Sequence, residues 1–522
     1  MHLTHSLSFL LSFVTTVFAG TTFKTLTVTD ATISPDGFSR TAIVTNGQYP
    51  APLITANKGD NFVLTVNNHL SDPSIRESTS IHWHGLFQHR TTANDGVAMV
   101  SQCPIAPGHS FTYRFGGGGQ AGSFWYHSHL STQYCDGLRG PLVIYDPFDP
   151  QRHLYDFDDA STVITIGDWY HQTAETAFAD PTIIAPTPDS VVINGKARYA
   201  GGPNTPLSVI GPVIHGKRYR FRLINISCLT YFTIQLDGHT MTVIEADGQA
   251  HQPYNVDSLV IFPGQRYSVI VTANQAIGNY WFRATPSPQI SNFASSTDPG
   301  LNNAVFRYFG ASNTEPTTTQ ATSTNPLVEA SMVPLVNPGA PGGSNPPDVA
   351  LNLVIGLTLP MWTVNGFSFT PPSVPVLLQI LSGTTAAQDL LPAGDVYTLP
   401  PNAVVEISIP DAGAITRAHP FHLHGHAFDI VRSGGQTDYN YINPPRRDVV
   451  AIHDGNVTFR FKTDNAGPWL LHCHIDWHFS QGLAIVLAED PAGIESGPNS
   501  AILPPGYNDL CDIYNALPES EQ

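Results

Sequence analysis

Eight histidines of this chain form four His-x-His pairs, a spacing that can place metal ligands side by side. The pairs are His82 and His84, His127 and His129, His422 and His424, and His472 and His474. Side chains two residues apart on a β-strand point to the same face, so each pair would present two neighbouring imidazoles. Imidazole binds copper, zinc, iron or nickel, and eight imidazoles exceed the needs of one ion. The sequence therefore predicts a cluster of several metal ions.

Cys473 adds a ligand of a different type. It lies between His472 and His474, so its sulfur would point to the opposite face of the same strand. His478 follows Cys473, and His419 precedes the third pair. A thiolate with two imidazoles is the trigonal ligand set of a blue copper centre that transfers electrons. Electrons that enter at the sulfur would then have a backbone path to the cluster on the other face.

The histidine pairs belong to two of three copies of one repeated pattern. Each copy begins with an Asn-Gly turn and continues with a run of alternating apolar and polar residues, at 59–68, 216–225 and 401–410. The second copy has Ile234-Gln235-Leu236 where the other two have His-x-His. We therefore predict an all-β chain of three Greek-key β-sandwich domains in tandem, with metal ligands in the first and third.

The predicted domains are residues 21–148, 149–312 and 313–522. The third follows a stretch rich in Thr, Pro, Asn and Gly, from about Ala311 to Ala350, which is typical of a linker. The second domain, without ligands, would act as a spacer and as a wall of the substrate pocket.

Residues 1–20 have the pattern of a secretory signal peptide. Their apolar run is too short to span a bilayer and ends at Ala19-Gly20. No later stretch approaches about 18 uninterrupted apolar residues, so we expect a secreted protein outside the membrane. Asn225 and Asn456 begin Asn-x-Ser/Thr sequons and are predicted glycosylation sites on this route.

Composition and charge narrow the class of partner. Charged residues make up 12% of the chain, against about 25% in an average protein, while 43 Gly and 44 Pro favour many short strands. The net charge of −18 disfavours nucleic acid and anionic membranes as partners. The net charge says little about the substrate. We expect a monomer.

The five cysteines leave one without a disulfide partner. If Cys473 binds metal, the other four can form two disulfides, and the sequence alone allows three connectivities. These four are Cys103, Cys135, Cys228 and Cys511.

Four segments together resemble the copper signatures of the multicopper oxidases. They are HWHG (82–85), WYHSH (125–129), HPFHLHGH (419–426) and HCHIDWHFSQGL (472–483). With SPDGFSR (34–40) and DGHTMTVIEADG (237–248), the chain resembles basidiomycete-type fungal laccases throughout. The resemblance implies cupredoxin-like domains and four copper ions. It also implies one-electron oxidation of phenols, aromatic amines and similar small reductants, coupled to reduction of dioxygen to water.

The resemblance further implies roles for individual residues. The type 1 copper would take His419, Cys473 and His478, and the type 2 copper His82 and His422. One type 3 ion would take His84, His127 and His474, and the other His129, His424 and His472. The implied disulfides are Cys103–Cys511 and Cys135–Cys228. Asp95 matches a carboxylate that helps deliver protons to the cluster, and Asp476 lies within the fourth signature as a further catalytic candidate.

Two positions bear on substrate and potential. Leu483 lies at the axial position of the type 1 site, and the absence of a Met sulfur there predicts a higher potential. Related laccases have an acid at the position of Leu229 that holds the phenol or amine near the type 1 histidine, His478 here. Leu229 therefore puts phenol preference in question.

The alternatives are a ferroxidase, a cuprous oxidase, an ascorbate oxidase and, from another class, a non-catalytic copper carrier. Five methionines, one of them the initiator, disfavour a Met-lined cuprous site. A carrier would have no use for eight clustered imidazoles. Lignin fragments, pigment precursors and host phenols all remain open as the physiological reductant.

Overall fold

The computed structural model describes residues 19–180, 184–287, 298, 300–411 and 418–518. The predicted signal peptide lies outside this range except for Ala19 and Gly20. Among the described residues, no helix combines the length and apolar character needed to cross a bilayer.

Eight strands form the first sandwich. They are β1 (Thr21–Ile33), β2 (Arg40–Thr45), β3 (Ile54–Asn57), β4 (Asn61–Asn68), β5 (Ile81–His84), β6 (Ser110–Gly116), β7 (Gly122–Ser128) and β8 (Arg139–Tyr145). One sheet has the order β2-β1-β4-β6 and the other β3-β8-β7-β5. In β4 every second residue is buried, which is the pattern of a strand with one face on the core.

Eleven strands form the second sandwich. They are β9 (Val163–Trp169), β10 (Ser190–Ile193), β11 (Val209–Val213), β12 (Arg218–Asn225), β13 (Phe232–Leu236), β14 (Met241–Ala246), β15 (Gln249–Val256), β16 (Leu259–Ile261), β17 (Arg266–Thr272), β18 (Asn279–Pro286) and β19 (Asn303–Tyr308). Its sheets have the orders β10-β9-β12-β17-β14-β15 and β11-β19-β18-β13-β16.

Twelve strands form the third unit. They are β20 (Val349–Asn352), β21 (Ile355–Thr358), β22 (Met361–Val364), β23 (Val396–Leu399), β24 (Val404–Ile409), β25 (His419–Leu423), β26 (Phe428–Arg432), β27 (Arg446–Arg447), β28 (Val449–Ile452), β29 (Val457–Lys462), β30 (Gly467–Cys473) and β31 (Ala484–Glu489). The main sheets are β20-β24-β29-β26-β27 and β23-β31-β30-β25-β28, and β21 and β22 form a hairpin.

Helices are short and lie between or after the strands. The α-helices are α1 (Ala174–Phe178), α2 (Val376–Leu381), α3 (Asp476–Ser480), α4 (Pro491–Glu495) and α5 (Asp509–Asn515). Single 3-10 turns occupy Thr92–Asn94, Gln133–Asp136, Arg152–Leu154, Ala160–Thr162, Glu329–Ser331 and Ala387–Asp389.

The predicted fold class is confirmed. The three alternating runs coincide with β4, β12 and β24. A period of two lets β4 and β24 bury one face against the facing sheet, whereas β12 is buried at nearly every residue. Between 311 and 348 the chain contains no strand, as expected for the Thr/Pro-rich stretch.

Two disulfides join distant parts of the chain. Cys103 bonds to Cys511 in α5, and Cys135 of the first sandwich bonds to Cys228 of the second. This is the connectivity that the resemblance implies, selected from the three that the sequence allowed.

Candidate metal centre

The four His-x-His pairs converge because their strands are hydrogen-bonded neighbours. In the first sandwich β5 pairs with β7 and sets His82 opposite His127. In the third, β25 pairs with β30 and sets His422 opposite His472. The two sheet regions face each other, and the rings of His84 and His422 stack with centroids 3.8 Å apart. Eight imidazoles from two domains thus share one buried space.

The ligand atoms of these histidines are close enough to share metal ions. Within each group the candidate ligand atoms lie within 4.8 Å of one another. The groups include His82 with His84 and His127, His82 with His422 and His424, and His129 with His424 and His472. Nε2 of His474 lies 3.2 Å from Nδ1 of His84. Nε2 of His424 lies the same distance from Nε2 of His472.

Backbone carbonyls orient several of the rings. Nδ1 of His82, His127 and His422 donates to the carbonyl oxygen of Asp95, Ser128 and Asp448 respectively, at 2.7–2.9 Å. Nε2 of these three rings has no hydrogen-bond partner among the described residues. A ring whose Nδ1 carries the proton keeps an Nε2 lone pair for a metal ion. The orphaned Nε2 atoms therefore fit bound metal.

Burial favours the neutral form of most of these imidazoles. Desolvation, with repulsion from neighbouring imidazoles, holds the pKa of seven of the eight well below its usual value: His84, His127, His129, His422, His424, His472 and His474. A neutral imidazole is the form that binds metal, so the site is prepared for ions without a competing proton.

Cys473 and two further histidines form a second centre on the other face of β30. The Sγ of Cys473 lies 3.6 Å from Nδ1 of His419 and 3.7 Å from Nδ1 of His478. His478 lies in α3. Burial raises the pKa of the Cys473 thiol, so a thiolate here needs a bound cation. One sulfur and two imidazole nitrogens are the donor set of a blue copper centre. The residues present fit copper.

Two carboxylates contact the histidine cluster. Nδ1 of His424 donates to Oδ2 of Asp95 at 2.8 Å, and Oδ1 of Asp95 lies 3.2 Å from Nδ1 of His82. Oδ1 of Asp448 lies 3.4 Å from Nε2 of His84. Burial raises the pKa of Asp448, although its ion pair with Arg266 opposes the rise. Asp95 was a sequence candidate.

Asp448 was missed by the sequence analysis. It lies just before β28 in RRDVV, a run with no recognisable spacing to the histidines. A charged residue beside a buried apolar strand was the one available signal, because such a residue needs a partner.

The loop that carries Leu229 is fixed next to α3, the helix that contains His478. Asp168 accepts hydrogen bonds from the backbone N–H groups of residues 228, 229 and 230 at 2.9–3.0 Å. The carbonyl of Cys228 accepts from the N–H of Asp476 at 3.0 Å. The side chains of Leu229 and His478 are both buried. The sequence indicated Leu229 but gave no sign of Asp168.

The remaining candidates are also buried. Burial raises the pKa of Asp476 well above its usual value, and its Oδ2 lies 3.4 Å from Sγ of Cys135. Leu483 belongs to the same apolar cluster as Cys473, and its carbonyl accepts from the N–H of Cys473 at 3.1 Å.

The structure contradicts one predicted glycosylation site. Asn225 is fully buried, and its Nδ2 donates to the carbonyls of Thr230 and Ile261. A glycan on this nitrogen has no space in the folded chain, so the prediction for Asn225 is wrong. Asn456 is exposed.

A cavity of about 430 Å³ reaches the histidine cluster from the surface. His129 lines it, together with Phe479, whose ring centroid lies 5.1 Å from that of His129. A small molecule can therefore approach the cluster from this side.

Comparison with known proteins agrees with this geometry. Three family models described as multicopper oxidase match residues 27–149, 160–311 and 369–493. The chain is 53% identical to Laccase-4 of Trametes villosa over 503 residues, 95% of this chain and 94% of the relative.

Solved structures show the same similarity. The laccase of Botrytis aclada superposes with a TM-score of 0.83 at 35% identity, covering 96% of this chain and 93% of that one. Fet3p, a multicopper oxidase that functions in iron import, gives 0.84 at 29% identity, covering 95% and 96%. Backbone similarity alone thus does not separate oxidases of different substrates.

Proposed function

The chain belongs to the multicopper oxidase family as a copper-dependent laccase, and we propose that ten buried histidines and Cys473 divide its copper among three sites. The observation that carries the assignment is the placement of two donor sets on opposite faces of β30. Cys473 faces one set, while its covalent neighbours His472 and His474 face the other.

His419, Cys473 and His478 would hold the type 1 ion. The proposed type 2 ligands are His82 and His422. The proposed type 3 ligands are His84, His127 and His474 for one ion and His129, His424 and His472 for the other. The close approach of ligand atoms supports the type 1 set and the set of His129, His424 and His472, and the 3.2 Å between His474 and His84 supports part of the third. Other close groups, such as His82 with His84 and His127, join histidines of different sets. Bound copper would supply one-electron oxidation at the first site and four-electron reduction of dioxygen at the cluster.

The chain itself orients the donors and provides the path between the sites. In His82, His127 and His424, backbone carbonyls or Asp95 hold the proton on Nδ1, which leaves Nε2 for the metal. The peptide bonds of Cys473 connect the sulfur directly to His472 and His474. The absence of a gap in this path favours fast internal transfer of electrons.

We assign proton delivery to Asp95. Its two carboxylate oxygens contact rings of the type 2 and type 3 sets, so a proton held there is beside the site where water forms. We propose that Asp476 positions the loop that carries Leu229. Its backbone N–H binds the Leu229 loop to α3, next to His478.

Phenolic reductants and dioxygen are the substrates. We propose a secreted monomer with neither nucleic-acid nor membrane partners, cleaved after Gly20 and glycosylated at Asn456. We also propose domains 21–148, 149–312 and 313–522. The boundaries are supported by sheets that do not share strands across them.

Oxygen consumption tests the assignment. The purified enzyme should consume dioxygen with a phenol, and more slowly with ferrous ion or ascorbate. His422→Ala should abolish consumption while the blue absorption stays, because His422 is proposed for the cluster alone. Loss of the blue colour in that variant would contradict the division of ligands, and faster oxidation of ferrous ion than of phenol would favour a ferroxidase.

A further inference from the structure

Met99 lies on the wall of the cavity of about 430 Å³ that reaches His129. The two residues are close to each other, because the backbone N–H of Ala98 donates to the carbonyl of His129 at 3.4 Å. His129 is one of the proposed ligands of the copper cluster. A molecule that moves between the cluster and the surface through this cavity therefore passes Met99.

The backbone holds Met99 in a conformation that is uncommon for methionine. Its φ is 61°, in the left-handed region that favours Gly or Asn. Its N–H donates to the carbonyl of Gln102 at 2.7 Å, and its carbonyl accepts from the N–H of Val376 at 3.3 Å. The disulfide between Cys103 and Cys511 anchors the same segment. Met99 therefore cannot leave the cavity wall without breaking these contacts.

Much of the wall around Met99 is apolar. Leu130, Phe369 and Phe479 line the same cavity, and the rings of Phe369 and Phe479 stack with centroids 6.4 Å apart. Dioxygen is an apolar molecule, so such a wall favours its entry. A polar group added to this wall would attract water and oppose the entry of dioxygen.

The other methionines that the structure describes have different surroundings. Met241 and Met332 are 1% exposed and belong to the buried core of the second sandwich. Met361, the first residue of β22, is partly buried, as Met99 is, but does not line this cavity. Met361 is therefore a matched control for oxidants that arrive from solution.

We propose that Met99 is an oxidation site, which takes an oxygen atom from hydrogen peroxide that leaves the cluster through this cavity. The proposal rests on the laccase activity and on the assignment of His129 to the cluster. Dioxygen that gains two electrons and two protons, rather than four of each, becomes hydrogen peroxide. The O–O bond of the peroxide then breaks, one oxygen bonds to the sulfur and the other leaves as water. The sulfur loses the two electrons that the peroxide gains.

Oxidation of Met99 changes how dioxygen enters the cavity. The sulfoxide is polar, whereas the thioether that it replaces is apolar. Water that is hydrogen-bonded to the sulfoxide competes with dioxygen for the cavity. The KM for dioxygen should therefore rise by about two- to tenfold, the effect of one hydrogen bond. Turnover that releases peroxide would in this way slow the enzyme at low dioxygen.

Turnover in the presence of catalase tests the origin of the oxidant. Catalase destroys hydrogen peroxide in solution but is too large to enter the cavity. The copper-loaded enzyme is supplied with dioxygen and ferrocyanide, and mass spectrometry of its peptides measures the gain of one oxygen atom at each methionine. Met99 should be oxidised and Met361 should not. Neither should change when ferrocyanide is omitted.

Met99→Leu tests the effect on dioxygen entry. Leu is close to Met in volume and cannot form a sulfoxide. The KM for dioxygen should therefore stay constant during turnover in this variant, while it rises in the wild type and in Met361→Leu.

Met99 that stays reduced, or that is oxidised no more than Met361, would overturn the proposal. Oxidised Met99 with an unchanged KM for dioxygen would refute its effect on entry. Full cluster copper in His129→Ala would instead refute the ligand assignment on which the proposal rests.

Discussion

Arg266 of the second domain binds both carboxylate oxygens of Asp448 in the third, at 2.6 and 2.7 Å. Both side chains are fully buried, and Asp448 in turn contacts His84 of the first domain. The second domain contributes none of the proposed copper ligands, yet its guanidinium fixes a carboxylate that adjoins the cluster. The second domain is therefore more than a spacer, because it helps to hold Asp448 beside the cluster.

Arg266→Met should lower the free energy of unfolding by about 3–5 kcal/mol, because the substitution leaves Asp448 as a buried charge without its cation. It should also reduce the copper content of the cluster. Chemical denaturation and copper analysis measure the two effects. Arg283→Met is the matched control, since Arg283 makes an equivalent pair with Asp237 away from the cluster. Equal copper loss in both variants would show that the effect is general destabilisation.

Cys473→Ser should lose the blue thiolate absorption and the oxidase turnover while retaining cluster copper. The wild-type chain should bind about four copper ions and the variant about three, because the imidazole pairs on the other face of β30 remain. Absorption spectra with copper analysis are the measurement. A variant that stays blue would remove Cys473 from its assigned role.

Leu483→Met should lower the type 1 potential by offering an axial thioether that favours the cupric state. The exchange nearly conserves volume, so the buried cluster around Cys473 should tolerate it. Redox titration gives the potential, and Leu487→Met in β31, which begins directly after Leu483, is the control. A potential that is unchanged or higher in Leu483→Met would show that another residue is axial.

Leu229→Asp should raise the efficiency of phenol oxidation, because a carboxylate can accept the phenol proton where Leu can only pack. One charge-assisted hydrogen bond is worth about 1.5–3 kcal/mol, or about ten- to a hundredfold in kcat/KM. The position is buried beside Asp168, so desolvation and like charge should raise the pKa of the new acid above about 4.

The gain in the Asp variant should therefore appear only as pH rises through that raised pKa. Leu229→Asn, polar but uncharged, should lack the pH-dependent gain, and a donor without a proton should respond to neither variant. Steady-state kinetics of both variants, with a phenol and with the donor that carries no proton, measured across pH, test this prediction. An equal change for the two donors would refute the role of position 229.

Glu245→Gln should destabilise the fold near neutral pH and hardly at all near pH 2. Burial raises the pKa of Glu245, but Arg220 and Arg222 outweigh it and lower the value to about 2. The carboxylate therefore stabilises the folded chain fully above its unfolded pKa of about 4.3, and this contribution disappears as pH falls through about 2. The expected loss at pH 6 is about 2–4 kcal/mol.

Denaturation at both pH values measures this loss. Asp156→Asn is the control, because Arg218 also lowers the pKa of Asp156 to about 2 but solvent screens that exposed pair. A Glu245→Gln loss that is equal at both pH values would show that packing, not charge, is responsible.

The spacing of residues within single strands was enough to identify the candidate metal ligands. His-x-His spacing predicts two ligands on one face because strand geometry has a period of two, and this holds before any strand finds its partner. The same rule sends Cys473 to the opposite face from His472. The alternating runs that became β4, β12 and β24 were readable for the same reason, since each carries its core face within its own sequence.

Only the tertiary structure brought Arg266 to Asp448 and Asp168 to the Leu229 loop. These contacts join residues far apart in the chain, and a lone Asp or Arg has no spacing that announces its partner. At Asn225 the sequence indicated a glycosylation site that the folded chain does not allow. Its sequon is a local signal, but accessibility depends on which strands cover it, and β12 is covered on both faces. Burial is a property of the assembled sheets, so it could not be read from the sequence.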